Sequence, residues 1–317
     1  MDMDSLVHGE LRAVWDTLPS WDLDSVAETR ERLDQERIQV NPDPAVVWDE
    51  VLAPGKPGDP GIRVKTFAPR VRTAGPTPGL LWIHGGGYVL GSADGADAVC
   101  QTLAREIPAV VAAVDYRLAP EHPFPAGLDD CYAALVWLAR AAGSLGVSPK
   151  RIGVAGMSAG GGLAAAVTLL ARDRGEVPVC FQMPLYPMLD DRNETPSSRE
   201  ILDARTWDRA KNLTAWKHYL GAEPGETDIS AYAAPARAAD LSRLPPTYTM
   251  VGSLDLFRDE TMDYVARLAH AGVPVEFHLV PGGFHGFEWS VPDAEVSQRA
   301  RDAYVNALRR GLAGHLA

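Results

Sequence analysis

An α/β fold with a mostly parallel central sheet flanked by helices is the class this chain predicts, and three observations carry that prediction. Continuous apolar runs of strand length alternate with amphipathic stretches of helix length from about residue 80 onward. That alternation sets parallel strands side by side, with helices crossing over both faces. Glycine-rich turns bearing reactive side chains stand directly after several of the runs, which is where open α/β sheets keep their ligand chemistry. A length of 317 residues with 46% hydrophobic and 23% charged residues supports one substantial globular core.

Composition also removes several function classes. With 30 basic against 42 acidic residues the net charge is -12, which repels phosphate backbones and anionic membrane surfaces, so neither a nucleic acid nor an anionic lipid surface is expected as a partner. No apolar run approaches the roughly 18 residues of a spanning helix, so no membrane insertion is expected. The opening MDMDSLVHGE has neither the basic nor the apolar region of an export signal, and a cytoplasmic protein is expected. Cys100, Cys131 and Cys180 are far apart, form no C-x-x-C pair and lie in apolar segments, reading as reduced, buried thiols.

In chain order, Leu6, Val7, Leu11, Val14, Trp15 and Leu18 recur at helical spacing, and a second helix is expected from near Asp22, as its cap, to about Arg37. Residues 1–45 thus read as a helical arm that either packs on the body or covers a pocket. Strands follow at Val46 to Val51 and Ile62 to Ala68, separated by the turn-rich APGKPGDPG. The second alternates apolar with charged residues (Ile62, Arg63, Val64, Lys65), as a half-solvated antiparallel strand does. The runs at Leu80 to Ile83, Ala109 to Val114, the stretch before Ser158, Val179 to Met183, Tyr248 to Val251 and Val275 to Val280 read as strands buried on both faces. Helices are expected between and after them at Ala96 to Glu106, Leu128 to Ala142, Gly162 to Arg172, Asp259 to Ala271 and Ala294 to Leu312. About sixty residues between Tyr186 and Thr247 break the alternation, with a helical patch at Trp207 to Leu220; a loop this long is usually functional. Its part from about 188 to 235 reads as a cap inserted into a catalytic domain of residues 46–317.

RIGVAGMSAGGGL, from Arg151 to Leu163, reads strand, sharp turn, helix with Ser158 at the apex of a G-x-S-x-G pattern. Gly156 and Gly160 let the strand and helix backbones approach, and the serine hydroxyl is thrust outward. Gly160, Gly162 and Ala165 could also be read as a dinucleotide fingerprint, but they fall inside the helix and no acid stands about twenty residues on. Upstream, His84, Gly85, Gly86, Gly87 and Tyr88 follow a strand; consecutive glycines can turn main-chain N–H groups toward a developing oxyanion. A phosphate loop is disfavoured because the Gly-Lys-Ser/Thr ending is missing.

A serine nucleophile on such a turn needs an acid and then a histidine further along the chain. His285, flanked by glycines in VPGGFHGF after the last apolar run, is the candidate base. His278 falls within a strand, and His270 and His315 fall on helices. Asp255, just after the Tyr248 to Val251 run, is the candidate acid. Asp259 is the runner-up, since it and Glu260 also read as first-turn carboxylates favouring a helix dipole. No H-E-x-x-H or similar cluster suggests zinc.

Taken together, HGGGY at His84, DYRLAPEHPFPA from Asp115, GMSAGG at Gly156, YPMLDDR from Tyr186, the LPP at Leu244 and GGFHGF at Gly282 resemble the microbial branch of the hormone-sensitive lipase family of α/β-hydrolases. The resemblance spans roughly Gly79 to Phe287. It implies an α/β-hydrolase fold with an N-terminal cap, hydrolysis of short- to medium-chain carboxylic esters, a small-molecule ester as the partner, no cofactor and no metal, and a homodimer as one possible state. It assigns Ser158 as nucleophile, His285 as base and Asp255 as its partner. The N–H groups of Gly86, Gly87 and Ala159 become the oxyanion hole, with Gly85 shaping that loop and His84 tethering it. Two positions depart from the pattern: Met157 stands where Asp or Thr is usual, and Asp-Leu-Phe-Arg-Asp replaces Asp-Pro-Leu-Arg-Asp. An amidase shares the same acyl chemistry. A ligand-binding protein without turnover shares the fold, but loss of the base is its usual mark and His285 is present.

Overall fold

Eight strands pair into one sheet among the residues that the computed structural model describes, 2–18, 21–37, 39–72 and 75–314. In chain order they are β1 (Val46–Ala53), β2 (Ile62–Pro69), β3 (Thr77–Ile83), β4 (Val110–Val114), β5 (Val147–Met157), β6 (Val179–Leu185), β7 (Thr247–Gly252) and β8 (Val275–Val280). In space the order is β1-β2-β4-β3-β5-β6-β7-β8. The pairs β1 with β2 and β2 with β4 are antiparallel; every other pair is parallel. Helices Asp97–Glu106, Ala126–Arg140, Ala159–Arg174, Arg258–His270 and Glu295–Leu312 connect or follow the strands, each within a few residues of its expected place. No described helix is long and apolar enough to cross a membrane.

β3, β4 and Ile152 to Gly156 of β5 are wholly buried, as their continuous apolar runs require. Two other strands differ from expectation. β2 is not half-solvated. Lys65 is buried at 4% exposure with its ammonium 2.9 Å from Asp94 and 2.5 Å from Asp97, and Arg63 binds Asp94 and Glu50. The charges that suggested a wet face are paired acids and bases beside the strand, and the hydrogen bonds of Arg63 hold the Asp94 carboxyl well below its ordinary range. β8, in contrast, is the sheet edge and only half-buried, with Leu279 exposed. Cys100 and Cys131 are buried and Cys180 is half-buried; all three are free.

The arm also departs from the expected two helices. A single helix over Leu6 to Leu18 does not form; short helical turns at Met3–Leu6, Gly9–Leu11 and Arg12–Trp15 replace it. The break falls where His8 donates its N–H to Gly282 O (3.0 Å), so docking on the body overrides helical propensity. The second helix runs Val26–Gln35 with Ser25 at its N-cap, while Asp22 closes its own turn by accepting from the Asp24 N–H at 2.9 Å. From that helix Arg30 reaches the carbonyls of Val89 (2.7 Å) and Ala119 (2.6 Å), fastening the arm to the segments that follow β3 and β4.

Between β6 and β7 lie a short helix, Pro196–Glu200, and the helix Arg209–Leu220, whose first turn is capped by the Asp208 carboxylate. Arg205 in this segment pairs with Asp4 (2.6 Å) and Asp16 (2.7 Å) of the arm and lies over the Trp15 ring. Arm and insertion are thus tied to each other as well as to the sheet.

Candidate active site

Ser158 occupies the single-residue turn between β5 and the helix Ala159–Arg174, with φ 57° and ψ -123°. A non-glycine residue holds such angles only when its surroundings enforce them. Its N–H donates to Leu185 O (2.9 Å), and its carbonyl accepts from Gly162 (2.9 Å) and Met188 (3.0 Å). The flanking glycines are steric necessities: a β-carbon on Gly156 would lie 2.2 Å from Gly160 O, and one on Gly160 would lie 2.2 Å from Ile83 O.

His285 sits on the turn after β8, and Asp255 on the turn between β7 and the helix Arg258–His270. The imidazole Nε2 is 2.9 Å from Ser158 Oγ and Nδ1 is 2.8 Å from Asp255 Oδ2. With Nδ1–H donating to the carboxylate, Nε2 is left as the acceptor for the serine hydroxyl. Asp255 is 1% exposed, and its other oxygen accepts from the Phe257 N–H at 2.9 Å. The structure therefore brings Ser158, His285 and Asp255 into one hydrogen-bonded line.

The alternatives lie elsewhere. Asp259 accepts from the Ser197 N–H (2.7 Å) and pairs with Arg258 (2.6 Å). Glu260 is buried and accepts from the N–H groups of Leu189 (2.7 Å) and Asp190 (3.3 Å), and burial pushes its carboxyl well above the ordinary range. Both carboxyl groups stand in the first turn of the helix Arg258–His270, as expected, and they also fasten the inserted segment. His278 lies in β8 near Tyr248 and Glu276, His270 ends its helix, and His315 lies outside the described residues.

Gly86 (φ 118°) and Gly87 (φ 60°) adopt backbone conformations that suit glycine. The Gly86 carbonyl accepts from Val89 and Leu90, while the N–H groups of Gly86 and Gly87 donate to no acceptor among the described residues. Ala159 opens its helix, so its N–H has no carbonyl within the helix to meet. Gly85 packs on the serine turn: a β-carbon there would lie 3.2 Å from Ser158 Cβ. His84 is buried, bonds Gly85 O through Nδ1 (2.8 Å) and stacks on Tyr116 at 4.3 Å. Burial pushes its imidazole below the ordinary value, which suits a neutral tether.

These groups open into a cavity of about 400 Å³ that Trp21 and Leu33 of the arm, Trp207 of the insertion, and Met157 help to line. Among the described residues no group of three His, Cys, Asp or Glu is arranged to hold a metal ion. Sequence reasoning singled out Met157 but missed Trp207 and Trp289 at this cavity. It likewise missed Tyr186 and Phe257, whose rings meet His285 edge to face at 5.1 Å each. Tyr186 opens the YPMLDDR motif and Trp289 follows GGFHGF by two residues, so nearness to motifs was the available signal.

The family model for the alpha/beta hydrolase fold matches residues 80–289. The chain is 37% identical over 292 residues to Esterase LipI of Mycobacterium tuberculosis (strain ATCC 25618 / H37Rv), covering 92% of this chain and 90% of that protein. It is 40% identical over 238 residues to Carboxylesterase NlhH of the same organism, covering 74% of each. Among solved structures, a bacterial heroin esterase superposes with a TM-score of 0.92 at 44% identity, covering 98% of this chain and 99% of that one.

Proposed function

Since this chain belongs to the hormone-sensitive lipase family of α/β-hydrolase-fold esterases and is a carboxylesterase, we propose that it cleaves short- to medium-chain acyl esters through an acyl-enzyme on Ser158. The observation that carries the reading is the line from Asp255 through His285 to Ser158, with both hydrogen bonds below 3 Å and the serine at the cavity. Ser158 Oγ attacks the ester carbonyl as its proton passes to His285 Nε2. Asp255 keeps the proton on Nδ1 and balances the imidazolium charge. The oxyanion is received by the N–H groups of Gly86, Gly87 and Ala159, each worth on the order of 3 kcal/mol in the transition state. His285 then protonates the departing alcohol, and a water deprotonated by the same nitrogen frees the acid.

The described part of the arm in residues 1–45 and the insertion at about 188–235 act as the roof over the rest of the catalytic domain of residues 46–317, a role supported by Trp21, Leu33 and Trp207 at the cavity wall. Its volume of about 400 Å³ favours small ester substrates.

The test is a series of p-nitrophenyl esters from acetyl to dodecanoyl, run with the protein and with Ser158→Ala. Turnover that peaks at short or medium acyl chains and vanishes in Ser158→Ala is expected. Turnover retained by Ser158→Ala defeats the nucleophile assignment, and a peak at the longest chains defeats the substrate class.

A further inference from the structure

Beside His285 is a second buried carboxyl, which the hydrolysis steps do not use. Glu288, in the short helix Phe287–Ser290, is 0% exposed. Its Oε1 accepts from the Tyr186 hydroxyl at 2.6 Å, while Oε2 has no partner among the described residues. The Tyr186 hydroxyl accepts in turn from Trp289 Nε1 at 3.1 Å and stands 3.9 Å from Met157 Sδ. Its donor and acceptor capacities are both taken, so the far end of the phenol is fixed.

The near end of that ring is against the base. Tyr186 and His285 have ring centroids 5.1 Å apart at 80°. Tyr186 itself is held at φ 32°, uncommon for an aromatic residue, with its N–H on Met250 O at 2.8 Å. An imidazole that serves Ser158 and Asp255 through opposite nitrogens tolerates little rotation about Cβ–Cγ. Phe257 touches His285 as well, but its ring has no polar atom by which to be anchored. A carboxyl with one oxygen unsatisfied is costly to bury where a leucine or methionine could fill space. Its bond to Tyr186 gives that cost a function.

The geometry points to Glu288 as a positioning residue for the base: it pins the Tyr186 hydroxyl, and Tyr186 holds the His285 ring in the plane that reaches both Ser158 and Asp255. This deepens the proposed mechanism and rests on Ser158 and His285 being nucleophile and base.

The experiment compares kcat and KM, per active site counted by the burst of an activated ester, in the full chain and in Glu288→Ala, Glu288→Gln, Tyr186→Phe and the double variant Tyr186→Phe/Glu288→Ala. Expected is a fall in kcat of about tenfold or more in Glu288→Ala and Tyr186→Phe with KM within about twofold, since a misplaced base slows chemistry more than binding. Glu288→Gln, which keeps an acceptor for the phenol, recovers most of the loss, and the double variant is no slower than the worse single one. The proposal is overturned if folded Glu288→Ala keeps kcat within twofold, if glutamine restores nothing, if the loss is in KM or in the number of active sites alone, or if the two losses multiply. Should Glu288→Ala fail to fold, Tyr186→Phe decides through its own kcat and KM. Ser158→Ala separates the two readings: retained turnover defeats the nucleophile assignment, whereas an inactive Ser158→Ala beside unchanged Tyr186 and Glu288 variants defeats only the positioning role.

Discussion

Trp207 Cη2 stands 2.3 Å from where a β-carbon on Gly87 would sit. The insertion therefore presses on the loop proposed to receive the oxyanion, and Gly87→Ala meets two obstacles at once. Its φ of 60° disfavours any side chain, and the added methyl collides with the indole. Displacing one N–H donor is expected to cut kcat on the order of 10²- to 10³-fold with a short-chain ester. Adding Trp207→Ala relieves the collision but not the backbone preference, so the double variant should recover only part of the rate. Steady-state kinetics on the three variants checks this; full recovery would assign the whole effect to the indole.

Asp255→Asn and Asp259→Asn separate the two acids that sequence left in competition. Asp255 touches His285 Nδ1 at 2.8 Å, and an asparagine there stabilises the wrong tautomer, so turnover at neutral pH should fall by roughly 10⁴. Asp259 binds Ser197 and Arg258, and its amide variant should keep turnover while losing roughly 1 kcal/mol of stability. Parallel kinetics and urea melts decide, and the opposite ranking would move the acid to Asp259.

What the sequence made legible follows what is local in the chain. The serine turn, the glycine loop and the strand ends that carry Asp255 and His285 each lie within a few residues of a strand, where periodicity and glycine content speak directly. Lys65 was misread because its partners, Asp94 and Asp97, lie about thirty residues away, and pairing of that range leaves no periodic trace. The half-burial of β8 was invisible for a related reason: an apolar run does not reveal whether its strand ends a sheet. Tyr186 and Glu288, 102 residues apart, become partners only through folding.

Asp191, buried in the inserted segment, pairs with the partly exposed Arg237 just after it. Asp191 is 0% exposed, with Arg237 Nε at 2.6 Å, Nη2 at 2.8 Å and the Gly225 N–H at 2.7 Å. Arg237→Ala leaves that carboxylate without its cation, a loss that typically costs about 3–5 kcal/mol. Denaturant unfolding should register the loss in the melting midpoint. Replacing both partners with apolar residues of similar volume should be milder than Arg237→Ala alone, since the larger penalty comes from the charge left behind.

Glu288 makes stability depend on pH in a direction opposite to that of a salt-bridged carboxylate. Burial pushes its carboxyl from 4.5 up to about 7, so between those values the folded chain keeps a proton that the unfolded chain has released. The group's contribution is complete below pH 4.5 and is lost as pH rises through 7. That shift corresponds to on the order of 3 kcal/mol. Glu288→Gln cannot titrate, while the other ionisable groups are common to both proteins and largely cancel in the difference. Urea midpoints measured at pH 5 and pH 8 should therefore show the variant gaining on the parent at the higher pH. A difference that stays constant would mean that Glu288 does not titrate in this window; a variant that loses ground to the parent at pH 8 would mean that the carboxylate is the form the fold prefers.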